Sequence, residues 1–148
     1  LLYAARRDHW LKLIEPALTQ GKWVICDRFS DSTLVYQGIA KGVDQGVLAR
    51  LHQLALGEIQ PDLTILLDLP AETGLSRTLD RESARASGEN RFERMGHEFH
   101  RALRAGFVEL AAANPTRIVT IDASQGVAEV AASVLDTVRT RLCEDEQH

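Results

Sequence analysis

A chain of 148 residues with 45% hydrophobic and 26% charged side chains has the length of one globular domain and enough apolar content to build a core. Its net charge of −4 speaks against a general nucleic-acid binder, and no apolar run approaches the roughly 20 residues of a membrane helix. Cys26 and Cys143 form no CxxC pair and no signal peptide is visible, so neither a zinc site nor a disulfide framework is indicated and a reducing cytoplasm is the default location.

The chain opens on Leu1-Leu2-Tyr3, with no Met and no helix cap, as if inside an element. Residues 3–18 place Tyr3, Trp10, Ile14 and Ala17 on one helical face, and Gly21 follows near the end. The run WVICD (23–27) is continuous rather than alternating, as a strand buried on both faces should be. The next helix is expected over 47–56, with Leu48, Leu51 and Leu54, stopped by Gly57. LTILLD (63–68) is the second expected strand; Pro70 then opens a helix over 71–82. ESARASGENR (82–91) has no large apolar residue and is expected to be a mobile surface loop. A long helix over 92–113 repeats Phe92, Phe99, Leu103, Phe107 and Leu110 and ends at Asn114-Pro115. RIVTID (117–122) is the third strand, the stripe Val127, Val130, Val134, Val138, Leu142 the last helix, and 143–148 a polar tail. Strands alternating with helices predict an α/β fold with a parallel sheet, its strand C-termini gathered at one ligand-binding edge.

Each expected strand ends on an Asp, and at Asp27 an Arg follows at once. Arg28 is a planar fork suited to a carboxylate or phosphate, and Asp27 could hold it or reach Mg²⁺ through water; a plain ion pair weighs equally. Ser32, Thr33, Tyr36 and Gln37 could read the polar edge of a small molecule, while Ser30, Asp31 or Ser32 could simply cap a helix. Arg77, Arg81 and Arg85 form one helical stripe, either a solvated face or an electropositive lid over phosphates. Tyr3 and Arg7, a turn apart, could stack on a base and donate to its edge, or Tyr3 could be core. The five histidines show no metal-ligand spacing.

Taken together these segments resemble the thymidylate kinase family. LLYAARRDHW is similar to its Leu-Leu-Phe-Ala-Ala-x-Arg-x-x-His segment, and DRFSDSTLVYQG to its Asp-Arg-Tyr-x-x-Ser-x-x-Ala-Tyr-Gln-Gly motif. PDLTILLDLP resembles the strand before the lid helix, NRFERMGHEFHRALRAGFVELA the long helix after it, and IVTIDAS the last strand and adenine-side loop. The resemblance runs from Leu1 to about Leu142, and it implies a P-loop-kinase-type parallel sheet flanked by helices, one domain over 1–142. It implies phosphorylation of dTMP to dTDP with ATP and Mg²⁺, a step in dTTP biosynthesis, in a cytoplasmic homodimer. Tyr3 would stack on thymine, Arg7 donate to its carbonyl edge, and Arg28 clamp the dTMP phosphate. Asp27 would organise the magnesium–phosphate region. Ser32, Thr33 and Gln37 would surround base and phosphate, and Tyr36 would exclude a ribose 2′-hydroxyl. Arg81 would reach the transferred phosphoryl group, with Arg77 and Arg85 near ATP. Asn90 and Phe107 depart from the family's usual Asp and Tyr. No G-x-x-x-x-G-K-S/T occurs in the 148 residues. The expectation is therefore a C-terminal portion of such a kinase, lacking the first strand and P-loop and inactive alone. The alternatives are a non-catalytic remnant that binds nucleotide or dimerises, and a kinase for another nucleoside monophosphate.

Overall fold

Pro16 shapes the first element. It has no N–H to donate, and its ring clashes with the carbonyl one turn back, so an α-helix cannot run through it undisturbed. The chain absorbs this by widening. Helix α1 (Leu2–His9) passes into a π-helical stretch, Trp10–Ile14, and then into α2 (Glu15–Thr19), with Pro16 in its first turn. The Glu15 N–H reaches back to the Trp10 carbonyl, one register wider than in an α-helix. The helix expected over 3–18 is thus one helical run with a bulge inside it.

The computed structural model describes residues 2–39, 41–74 and 97–143, which fall into two compact units divided after Gln60. In the first unit α3 (Ser30–Thr33) leads into a second π-helical stretch, Leu34–Ile39, and α4 spans Gln45–Leu56. The limits of α4 follow from its ends. The Asp44 carboxylate accepts from the Val47 N–H at 2.9 Å, and Gly57 takes φ 64°, a left-handed conformation that costs glycine little. Val35, Leu48 and Leu56 are buried. A Cβ on Gly38 would sit 3.3 Å from Leu48 Cδ1, so the glycine lets the π-helical stretch lie close to α4.

WVICD (23–27) is not a strand. Residues 23–26 carry no regular structure, Trp23 is 65% exposed and Ile25 97% exposed. A strand persists only with a ladder partner, and among the described residues none pairs with this run. The expected cap at Ser30–Ser32 is corrected as well. Phe29 occupies the N-cap of α3 without a side-chain bond, and Ser30 is the first helical residue.

The second unit holds the parallel pair. β1 (Thr64–Asp68) and β2 (Ile118–Asp122) run in register from Thr64 opposite Ile118 to Asp68 opposite Asp122. The connection includes α5 (His97–Ala113), which packs on both strands; α6 (Val127–Val138) packs on β2 and continues as a π-helical stretch, Arg139–Cys143. Leu103, Ala111, Ile118 and Ile121 are buried. Asn114 ends α5 as expected, its N–H on the Ala111 carbonyl and its side chain on the Leu110 carbonyl. Residues 71–74 are helical after Pro70. The expected lid and the arginines at 77, 81, 85, 91 and 94 lie outside the described residues, as do 144–148 of the tail.

Candidate functional site

The two strand-end aspartates of the second unit are occupied. Asp68 receives a fork from Arg104, with Nε at 2.7 Å and Nη2 at 2.8 Å, and this holds its carboxyl below the usual carboxylate range. Asp122 accepts from the Ser124 N–H at 2.8 Å, and the Ser124 hydroxyl first and this N–H second lower its carboxyl as well. Arg101 pairs with Glu72 at 2.8 Å. An open pocket of about 390 Å³ between residues 71–72 and α5 is therefore walled by paired cations.

The first unit gathers the other expected residues. Asp27 and Arg28 lie on the exposed turn before α3. Arg28 has φ 65°, a left-handed conformation that costs a non-glycine residue about 1–2 kcal/mol. The Cys26 thiol, 3.8 Å from the Arg28 carbonyl, braces the turn. This conformation carries the guanidinium over the Tyr36 ring, with Cζ 5.2 Å from the centroid. No ion pair among the described residues involves Asp27 or Arg28, so the strand-end ion pair that competed with the phosphate clamp does not form. Thr33 is buried, and Ser32, Tyr36 and Gln37 are half-buried on the same short helical segment.

A second group lies between α1, α3 and α4. The Tyr3 hydroxyl donates to the Leu48 carbonyl at 3.2 Å, and its ring meets the His52 ring edge-on at 6.3 Å and 71°. Burial raises the Tyr3 phenol, and the nearby Arg6 charge opposes that. Arg7, expected to face a base, is exposed and its Nη1 donates to the Ala55 carbonyl at 2.8 Å. Arg6 instead stands 5.8 Å from the Tyr3 centroid and 5.9 Å from that of Phe29. Its Nη1 is buried and has no hydrogen-bond partner; the same holds for Ser30 Oγ and His52 Nδ1. Burial pulls the guanidinium of Arg6 below its ordinary value, opposed by Tyr3, Cys26 and Asp31. Arg6, Phe29 and His52 were not singled out by the sequence. The signal available was spacing: Arg6 is three residues from Tyr3, and Leu48 and His52 are four apart on α4.

Among the described residues no cluster of His, Cys, Asp or Glu could hold a metal ion by itself, and no helix is long and apolar enough to cross a membrane. Asp27, a carboxylate without an ion pair among the described residues and next to an exposed arginine, fits Mg²⁺, which is commonly held by one or two carboxylates, substrate phosphates and water.

The family model described as thymidylate kinase matches residues 1–134. A thymidylate kinase of Dinoroseobacter shibae is 53% identical over 135 residues, 91% of this chain and 63% of its own length. One from Geobacter sulfurreducens is 48% identical over 144 residues, 96% of this chain and 68% of its own length. The crystal structure of thymidylate kinase from Ehrlichia chaffeensis superposes with a TM-score of 0.66 at 32% identity, covering 93% of this chain and 60% of that one. The chain thus spans about two thirds of the length of the relatives it matches.

Proposed function

The chain belongs to the thymidylate kinase family, and on that premise we propose that the protein carrying it phosphorylates dTMP to dTDP with ATP. The observation that carries this reading is Arg28, a guanidinium without an ion-pair partner among the described residues, held over Tyr36 by a left-handed backbone turn. A fork so presented suits a phosphate with two parallel charge-assisted hydrogen bonds. Phosphoryl transfer needs little covalent chemistry from the protein; positioning and charge neutralisation supply most of the rate. Asp27, exposed beside the clamp, would hold Mg²⁺ through its water shell, and the ion would neutralise charge on the phosphates.

Tyr3 and Phe29 offer aromatic surface to the pyrimidine. Arg6, with a buried and unpartnered Nη1 between those rings, donates to the base carbonyl edge in this reading, the role the sequence had suggested for Arg7. Arg7 then secures α1 to α4 through Ala55. Ser32, Thr33 and Gln37 complete the polar lining, and Tyr36 excludes a ribose 2′-hydroxyl. Arg81, with Arg77 and Arg85, supplies positive charge around the transferred phosphoryl group and ATP, a role resting on the sequence. The working form is a cytoplasmic homodimer, a reading supported by the exposed stripe Val47, Leu51 and Leu54 on α4.

The test is dTDP formation by the full-length protein with dTMP, dCMP and UMP as acceptors. A cationic donor at the base edge rejects the amino group of cytosine, and a buried donor left unpaired makes that discrimination large. dTMP should be turned over well ahead of both competitors. Equal turnover of dCMP would overturn the substrate assignment.

A further inference from the structure

His52 is absorbed by none of the roles above, yet it touches the group that receives the base. It lies on α4 one turn beyond Leu48, so α4 holds Tyr3 at two points: the hydroxyl on the Leu48 carbonyl and the ring edge-on to the imidazole. The His52 ring is half-buried and its Nδ1 has no hydrogen-bond partner. Its Nε2 lies 3.5 Å from Gln60 Nε2, and the Ile59 backbone also hydrogen-bonds the ring. Among the described residues, the groups that act on the ring come from three directions. Arg6 faces it from α1; Asp31 faces it from α3; Glu58 and the Ile59 carbonyl face it from the turn after α4; and the Tyr3 phenol is neutral at working pH.

We propose that His52 is a positioning residue. As the neutral imidazole it holds the Tyr3 ring and the Arg6 guanidinium where they receive a nucleobase; once protonated, it repels Arg6 and loosens that grip. The proposal deepens the functional reading and rests on it. Burial and the Arg6 charge, in that order, push the imidazole below its ordinary value, against the weaker pull of Asp31, Ile59 and Glu58. The ring is therefore neutral at neutral pH, and its change of charge falls on the acid side of an ordinary imidazole's.

Thymidine is the probe, because it carries the base without a phosphate that would titrate in the same range. Two measurements on the full-length protein, between about pH 5 and pH 8, test the idea. Thymidine affinity should fall about tenfold toward the acid end in the native protein and less than about twofold in His52→Asn and His52→Gln, whose amides fill the site without titrating. Linkage then requires that saturating thymidine move the NMR titration of the His52 ring to lower pH. Arg6→Met should move it to higher pH. The pH profile of affinity and the thymidine-linked shift are readouts that a merely structural histidine would leave unmoved; the Arg6→Met shift checks that Arg6 is the charge the ring feels. An acid-side loss of affinity that persists in both amide variants, or a His52 titration indifferent to thymidine, overturns the proposal while leaving the kinase reading intact. No thymidine or dTMP binding at any pH overturns both.

Discussion

Arg28 combines two roles that work against each other. Its left-handed φ of 65° is unfavourable for any residue with a Cβ, yet it is what aims the guanidinium over Tyr36. Such strain at a turn persists when the surroundings over-determine it and the aim of the side chain matters. The two effects can be separated by substitution. Arg28→Ala and Arg28→Gly both delete the fork, and kcat/KM for dTMP should fall about tenfold to a hundredfold in each, the worth of hydrogen bonds to a charged group. Arg101→Ala, on an exposed ion pair in the second unit, should leave it near normal. Stability should divide the pair differently: urea melts should find the glycine variant more stable than the alanine variant by up to about 1 kcal/mol. Equal stability would mean that the turn is unstrained, and an unchanged kcat/KM would remove Arg28 from the phosphate site.

At the scale of elements, α4 and the α5–β1 contact show which contributions are structural. Leu56 is 2% exposed at the C-terminal end of α4, and Leu54, two residues earlier, is 83% exposed. Leu56→Ala should cost about 2–4 kcal/mol through lost burial and a residual cavity. Leu54→Ala should stay within about 0.5 kcal/mol. Equal losses would contradict the assigned face. The Asp68–Arg104 pair predicts a pH dependence. Its fork lowers the Asp68 carboxyl in the folded state, so the unfolded state binds the proton more readily. The stabilisation is therefore complete above the ordinary carboxylate pKa, near about 4, and is lost as pH falls through the depressed value. Arg104→Met should melt earlier than the native protein at neutral pH, and that gap should close in acid. A gap that persists unchanged in acid would show that Arg104 acts through packing. These elements also mark the limits of the sequence. Both ends of α4 were readable within two residues because Gly57 is local chemistry, and Asp44 capped it slightly earlier than the apolar pattern suggested. Both strands of the parallel pair were readable as continuous apolar runs. The π-helical bulge before Pro16 was not, since apolar spacing is nearly the same across one inserted residue. Nor was the placing of Arg6 against Tyr3 and Phe29: the surroundings of adjacent arginines on a helix differ only once the facing elements, α3 and α4, are in place.

At the scale of the whole molecule, the run at 23–26 is where sequence preference and structure disagree most. Trp23, Val24 and Ile25 have the bulk and branching of strand residues, yet they stand exposed and without a ladder among the described residues. An extended apolar segment with free backbone donors and acceptors is a template for another strand, and self-association is the usual result when such an edge lacks a charge to block it. Lys22 and Asp27 flank the run, but no charge lies inside it. The 148 residues expressed by themselves should therefore associate as their concentration rises, seen as a growing mean mass in light scattering. Ile25 is 97% exposed, so Ile25→Lys removes almost no packing and places a charge at the centre of the run. That variant should gain mean mass less steeply with concentration than the native chain, with its thermal transition unchanged. If both chains associate alike, the contact lies elsewhere, and the exposed stripe of Val47, Leu51 and Leu54 on α4 becomes the surface to charge next. If the native chain stays monomeric throughout, the run is protected by something other than pairing, and its exposure carries no tendency to associate.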